Sequence, residues 1–251
     1  MKGRPSDNPL ICHIAAMEQL PLLVREIPGE VLKLAEKFWP GPLTFVLKKQ
    51  ANISNVVTAG LDTVAVRMPR HPVALELIRS LGSPIAAPSA NLSGKPSSSR
   101  VEHVLTDFAG MEGGVIDGGE VEIGLESTVL WLAEGKPQIL RPGSVRAEEI
   151  GEVLGCKVEC GKNFASPGMR HKHYAPRARV RLVESFEGTG NDSFLMSTEA
   201  REGFYEVTPR NLYALLRQAD EMGAAEIVVM CTGKAWEDLA FRDRLTRSAL
   251  R

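Results

Sequence analysis

Short apolar runs alternate along this chain with longer segments of helical periodicity. The segment Glu30–Phe38 places Val31, Leu34, Ala35 and Phe38 on one face, which is the spacing of an amphipathic helix. The run Val64–Val66 is wholly apolar and too short for a helix, which favours a buried strand. Because strands and helices of this kind follow one another repeatedly, the sequence predicts an α/β fold.

The same pattern places the individual elements. Pro40 and Pro42 forbid continuation of the first helix, and Pro72 suits the first position of another. The predicted strands cover 10–14, 43–47, 63–67, 84–87, 127–132, 138–140, 178–184, 193–196 and 226–230, and the predicted helices cover 30–38, 72–81, 100–108, 209–222 and 236–250.

A break in this alternation divides the chain. Residues 161–177 are rich in Gly, Pro and basic residues and show little periodicity, which is typical of a linker or a functional loop. We therefore predict a domain over 1–160, a linker or lid over 161–177, and a small Rossmann-like α/β domain over 178–251. The last domain lacks a Gly-x-Gly-x-x-Gly turn, so we do not expect dinucleotide binding there.

Composition restricts the classes of partner. The formal net charge of −1 does not indicate a nucleic-acid binder. The sequence contains no apolar run long enough for a membrane helix, so we expect no membrane partner. The 4 cysteines do not form a disulfide framework and are interpreted as reduced packing residues of a cytoplasmic protein.

The segment Lys2–Asn8 combines two cations with glycine, proline and short polar residues, so it cannot be core. Side chains two residues apart in an extended segment point to the same side, so Lys2 and Arg4 can hold one polyanion together. A nucleotide phosphate or a carboxylate fits this pair. The alternative is a solvated loop that leads into the next strand.

Arg67 ends the apolar strand that begins near Thr63. An arginine there is costly to bury unpaired, and ligands of open α/β sheets bind beyond the carboxyl ends of strands. A substrate carboxylate would satisfy the guanidinium with two hydrogen bonds. The alternative is an internal salt bridge with Asp62 or Glu126.

Two further segments have the composition of binding loops. Residues 88–99 offer serine and asparagine donors without acidic residues, although a flexible linker has the same composition. Residues 166–176 are polar and basic, and we predict that they form a lid over a nucleotide. Metal binding by His171 and His173 is the competing idea, but two histidines alone make a weak site.

Taken in order, these and three other segments resemble the YrdC-type threonylcarbamoyl-AMP synthase family in its two-domain form. The resemblance implies a twisted open mixed sheet with helices, followed by the small Rossmann-like domain. The segments that carry it are Lys2–Asn8, Phe38–Thr44, Val64–Pro69, Ala86–Gly94, Gly124–Val129, Leu140–Gly143 and Ser166–Pro176.

The resemblance also implies a reaction. L-Threonine, bicarbonate and ATP with Mg²⁺ would give threonylcarbamoyl-AMP and pyrophosphate, and the tRNA-modification machinery would use that product to modify an adenosine. Adenylation needs cations and fixed donors around phosphate but no protein nucleophile.

By the same resemblance, each candidate residue has an implied role. Lys2 and Arg4 would grip the phosphates as the catalytic residues. The implied ATP contacts are Arg4, Asn8, Thr63, Ser89, Ser97, Arg141 and His173, and the implied threonine contacts are His13, Arg67, Ala87 through its backbone, and Ser127. Without the resemblance, Asn8 reads as a turn residue and His13 as a structural one.

Two alternative functions are those of other proteins with a similar domain. Domains of this fold resemble double-stranded RNA binders, so the chain could be a module that contacts double-stranded RNA or tRNA. The third hypothesis is a carbamoyl-adenylate transferase component of hydrogenase maturation, but proteins of that kind would also contain zinc-finger and acylphosphatase domains. Family members carry a Thr-x-Thr-x-Tyr-Gly stretch ahead of the Lys-Gly-Arg motif, whereas here Met1 directly precedes Lys2. We therefore expect an exposed sheet edge and reduced activity.

Overall fold

The computed structural model describes residues 2–161, 173–185 and 192–250. Most of the predicted linker or lid, including His171, lies outside these residues. The helices are α1 (Gly29–Phe38), α2 (Asn55–Thr58), α3 (Pro72–Leu81), α4 (Val101–Asp107), α5 (Ala147–Leu154), α6 (Leu212–Glu221) and α7 (Leu239–Ala249). The strands are β1 (Ile11–His13), β2 (Leu43–Lys48), β3 (Thr63–Arg67), β4 (Ile85–Ala87), β5 (Thr128–Trp131), β6 (Gln138–Arg141), β7 (Glu159–Cys160), β8 (Arg179–Val183), β9 (Ser193–Ser197), β10 (Tyr205–Glu206) and β11 (Glu226–Met230).

The described residues group into two compact units. The first unit comprises residues 5–88 and 126–161, and the second comprises 2–4, 89–125, 173–185 and 192–250. This grouping follows spatial contacts and differs from a simple division along the chain. The domain boundaries predicted from the sequence stay a prediction.

The first unit is built on a mixed sheet. Within the described residues its strand order is β4-β1-β3-β2-β5-β6-β7, with β1 parallel to β3 and β2 antiparallel to β3. The mixed α/β architecture predicted from the sequence is therefore confirmed. Helix α1 buries Val31, Leu34 and Ala35, so its predicted apolar face is the one that packs against the core.

The ends of the helices in this unit follow from local chemistry. Pro72 stands in the first turn of α3, where a missing backbone N–H costs nothing. Gly82 ends that helix with φ 70°, a left-handed conformation that glycine adopts without strain. Helix α5 was not predicted from the sequence. It begins after Arg146, whose backbone N–H donates a hydrogen bond to the Glu149 carboxylate at 2.9 Å.

The second unit contains a parallel sheet. Its described strands follow the order β10-β9-β11-β8, and every pairing among them is parallel. Tyr213, Leu216 and Phe241 from α6 and α7 contribute to its apolar core. The helix predicted over 236–250 is wrong at its start, because Asp238 accepts hydrogen bonds from the Ala240 and Phe241 backbone N–H groups and so begins α7 at Leu239.

Candidate active site

Polar side chains of the first unit gather at one end of the mixed sheet. His13 and Arg67 are paired residues at the carboxyl ends of the parallel strands β1 and β3. Strand β2 runs antiparallel to β3 and parallel to β5, so Thr44, near the start of β2, and Ser127, which directly precedes β5, lie at this same end. Arg141 completes the set because it pairs with Val129 near the end of β6. We call His13, Thr44, Arg67, Ser127 and Arg141 the sheet-end cluster.

Arg67 lies in this cluster and bonds to a backbone carbonyl. Its Nε donates a hydrogen bond to the Gly41 carbonyl at 2.9 Å. Within the described residues it forms no ion pair, and Asp62 instead pairs with Arg25 at 3.2 Å. The alternative of an internal salt bridge with Asp62 or Glu126 is therefore wrong. The remaining guanidinium N–H groups suit a bidentate anion.

The electrostatic environment of Arg67 is cationic. Burial and the charge of Arg141 lower the pKa of Arg67 to about 10. Burial and the charge of Arg67 in turn lower the pKa of His13 to about 4, so this histidine is neutral at pH 7. Two guanidinium groups that repel each other are stabilised by an anion between or beside them.

Ser127 is held by Thr44 and Arg141. Its hydroxyl lies 2.7 Å from the Thr44 hydroxyl, and Arg141 donates from Nη2 to the Ser127 carbonyl at 2.9 Å and hydroxyl at 3.1 Å. All three residues are buried. The structure thus brings Ser127 and Arg141 together, but it uses the Arg141 guanidinium to position Ser127. Thr44 had no signal in the sequence beyond its place beside Gly41-Pro42.

The other predicted residues of the first unit lie away from this cluster. Thr63 begins β3 whereas Arg67 ends it, a separation of about 13 Å along an extended strand. Ala87 pairs with Ile11, which places it two residues along β1 from His13. Asn8 is buried ahead of β1. Their ligand contacts stay predictions.

The second unit contains residues 89–99, which we call the Ser/Asn loop. The residues predicted to bind phosphate lie in this loop or next to it in the same unit. The Lys2 ammonium donates to the Ser89 and Asn91 carbonyls, both at 2.5 Å, and the Lys2 carbonyl accepts from the Ser93 backbone N–H at 2.9 Å. Burial and the charge of Arg4 lower the pKa of Lys2 to about 8. Lys2 therefore braces the loop through the same ammonium that was predicted to bind phosphate.

Side chains inside the Ser/Asn loop also stabilise its shape. The Asn91 amide donates to the Leu92 and Lys95 carbonyls at 2.9 and 3.0 Å, and the Ser98 hydroxyl donates to the Ala90 carbonyl at 2.6 Å. A flexible linker, the alternative reading of this segment, would not have such a bonded interior.

His173 stands next to the point where the later chain joins the loop. The Ala175 backbone N–H donates to the Gly94 carbonyl at 2.9 Å, and Tyr174, with φ 65°, buries its ring against Tyr213. Non-glycine residues rarely adopt this left-handed conformation, so the surrounding contacts hold it. His173 is thereby kept beside the loop that contains Ser89 and Ser97.

The structure also limits other chemistry. Burial raises the pKa of Cys12 to about 11 and that of Cys231 to about 12, so neither thiol is an activated nucleophile. In the part of the chain that the structure describes, no group of at least 3 His, Cys, Asp or Glu side chains could hold a metal ion. Among the same residues, no helix is long and apolar enough to cross a membrane.

The mixed α/β sheet of the first unit carries a cationic cluster at one end, and the second unit contains a braced polar loop. Groups of both kinds suit small anionic ligands. The family model described as "Telomere recombination", which covers Sua5, YciO and YrdC proteins, matches residues 1–143. The model described as "Threonylcarbamoyl-AMP synthase, C-terminal domain" matches residues 145–250. The chain therefore belongs to the two-domain threonylcarbamoyl-AMP synthase family.

Individual relatives agree with this assignment. The threonylcarbamoyl-AMP synthase of Pyrococcus abyssi is 44% identical over 99% of this chain and 82% of its own length. That of Bacillus subtilis is 41% identical over 99% of this chain and 81% of its own length. The crystal structure of P. abyssi Sua5 complexed with L-threonine superposes with a TM-score of 0.89 at 41% identity, covering 99% of this chain and 82% of that one. The resemblance read from the sequence motifs is confirmed.

Proposed function

We propose that this chain joins L-threonine, bicarbonate and ATP into threonylcarbamoyl-AMP and pyrophosphate. The proposal is supported by family membership and by one observation above all: the Arg67 guanidinium at the end of the sheet pairs with none of the carboxylates that the structure describes. A partly buried guanidinium whose only bond among the described residues is from Nε suits the carboxylate of an amino acid.

The chemistry proceeds in two steps. The threonine amine adds to bicarbonate with loss of water and gives a carbamate. A carbamate oxygen then attacks the α-phosphorus of ATP, a new O–P bond forms, and the bond from that phosphorus to the bridging oxygen breaks to release pyrophosphate. No protein atom forms a covalent bond, so the rate depends on positioning and charge stabilisation.

The roles of the residues follow from their surroundings. Arg67 holds the threonine carboxylate, neutral His13 offers a polar contact beside it, and Ser127 presents a hydroxyl oriented by Thr44 and Arg141. Arg4 and the Ser/Asn loop, braced by Lys2, hold the triphosphate. Mg²⁺ would enter with the phosphates of ATP and neutralise part of their charge.

The test is pyrophosphate release by the purified protein with Mg-ATP, L-threonine and bicarbonate. We expect release to need all three substrates and to be accompanied by a threonine-containing adenylate that separates from AMP by chromatography. Pyrophosphate release that persists at the same rate without threonine would contradict the proposal. Binding of double-stranded RNA without any such release would favour the RNA-binding alternative.

The product and its setting complete the proposal. Threonylcarbamoyl-AMP is a mixed anhydride that transfers its acyl group to an amine, so the consuming reaction is acyl transfer to an adenosine amine of tRNA by separate machinery. We place this reaction in the cytoplasm.

A further inference from the structure

A buried ion pair that no sequence motif indicated holds the Ser/Asn loop in place. Arg217 of α6 donates to both carboxylate oxygens of Asp107, from Nη1 at 3.1 Å and from Nη2 at 2.7 Å. The Asp107 side chain is fully buried and that of Arg217 is 8% exposed. Although burial opposes ionisation of Asp107, the hydrogen bond from Arg217 and those from Leu92 and Lys95 lower its pKa to about 2.

Both partners of this pair also hold the loop itself. Arg217 donates from Nη2 to the Pro96 carbonyl at 2.6 Å and from Nε to the Ser97 carbonyl at 3.4 Å. Asp107 accepts from the Leu92 backbone N–H at 3.0 Å and from the Lys95 ammonium at 3.1 Å. The two ends of one ion pair therefore fix backbone atoms on both halves of residues 92–97.

A neighbouring histidine extends this support. The His103 Nδ1 accepts a hydrogen bond from the Ser99 backbone N–H at 3.2 Å. Burial and the charges of Arg217 and Arg100 lower the pKa of His103 to about 4, so the ring is neutral and can accept. The end of the loop is thus bound to α4, the helix that carries Asp107.

The pair connects the two family domains. Asp107 and the loop lie within residues 1–143, whereas Arg217 lies within residues 145–250, and all of them belong to the same compact unit. We infer that Arg217 is a positioning residue for ATP, through which the C-terminal domain sets the shape of the Ser/Asn loop. This inference rests on the proposed function, because the loop is the part assigned to ATP.

The physical reason is desolvation. A buried guanidinium that loses its carboxylate, or the reverse, leaves a charge without compensation and forces the surrounding loop to open to water. A displacement of about 1 Å in a binding segment can cost about 10²-fold in rate. The proposed threonine contacts lie on other elements of the chain, so the affinity for threonine should change much less.

The primary test is a comparison of KM values in Arg217→Lys and Arg217→Ala. Lysine keeps the charge but loses the two-pronged geometry. We expect the KM for ATP to rise about tenfold in the lysine variant and about a hundredfold in the alanine variant, with the KM for threonine within about threefold of wild type. Arg181→Ala is the matched control, since it removes another two-bond ion pair, with Glu226, that does not touch the loop.

A double variant tests whether the two residues act as one unit. Asp107→Asn with Arg217→Gln replaces the ion pair by neutral amides, so it should raise the KM for ATP no more than Arg217→Gln alone. Unchanged KM values in all Arg217 variants would overturn the inference. Equal rises in both KM values with a lower Tm would also overturn it, because they would indicate a general loss of stability.

Amide hydrogen exchange separates this inference from the proposed function. Arg217→Lys should speed exchange within residues 89–99 while Arg181→Ala leaves those amides protected. If the wild-type protein releases no pyrophosphate, the proposed function fails, and exchange alone then decides the role of Arg217. Equal protection of the loop in wild type and Arg217→Lys would overturn it.

Discussion

The sheet-end cluster and the Ser/Asn loop both contain residues predicted to bind ligands, but the protein uses their side chains differently. Arg67 has N–H groups that none of the described carboxylates takes up, whereas the Lys2 ammonium is already bound to two loop carbonyls. We expect the first region to bind its ligand through a side chain. In the second region the side chains hold the backbone in place, so we expect the loop backbone to bind the ligand.

The largest expected effect is on the loop. Replacing Lys2 and Arg4 together by Gln removes the brace of the loop and two cations at once, so Mg-ATP binding measured by calorimetry should be lost. Lys33→Gln with Lys37→Gln is the control, because it removes two exposed cations from α1. ATP affinity at the wild-type level in the Lys2 and Arg4 variant would show that this region does not bind the nucleotide.

A smaller effect is expected at the sheet end from a single hydroxyl. Ser127→Ala removes a neutral hydrogen bond to threonine, so threonine affinity should fall by roughly 0.5–1.5 kcal/mol. Thr44→Val removes the partner hydroxyl while leaving Ser127 in place, and it should change the affinity by about half of that or less. If the two variants lose threonine affinity equally, Ser127 acts only through its neighbours.

A further effect concerns the pH dependence of stability rather than ligand affinity, and it involves one histidine in each unit. His13 and His103 each have a folded-state pKa of about 4, below the unfolded value of 6.5. Below pH 6.5 the unfolded chain binds more protons, so the stabilising contribution is complete above that pH and is lost as the pH falls to about 4. Denaturant unfolding across this window should show a shallower pH dependence in His13→Gln and in His103→Gln.

The two histidine variants also distinguish the regions. Only His13→Gln should weaken threonine binding, because His13 is paired with Arg67 in the sheet. A pH dependence identical to that of wild type in both variants would contradict the assigned pKa shifts.

Periodicity and prolines predicted most of the fold. The predicted ranges 63–67 and 72–81 coincide with β3 and α3, since a run of apolar residues and a leading proline define those elements locally. Helix α5 was missed because its eight residues contain only a short apolar stripe and its cap is an arginine rather than a serine or aspartate. The early start predicted for α7 overlooked Asp238 as a cap.

The candidate site was predictable only in part. Arg67 at the end of an apolar strand is visible in the sequence, because its position follows from the strand itself. The Asp107–Arg217 pair is not, since its members are 110 residues apart and each lies in an ordinary helix. The brace formed by Lys2 was hidden for the same reason, because a contact between distant segments leaves no local pattern.

The most direct test asks whether Arg67 recognises the threonine carboxylate, by comparing the affinities of two proteins for two ligands. Wild type and Arg67→Gln are titrated with L-threonine and with L-threoninamide, and Arg25→Gln is the control because its ion pair with Asp62 is exposed. Wild type and the control should prefer threonine, and Arg67→Gln should lose about 2–5 kcal/mol of threonine affinity and bind both compounds alike. A preference for threonine that survives in Arg67→Gln would contradict the central claim.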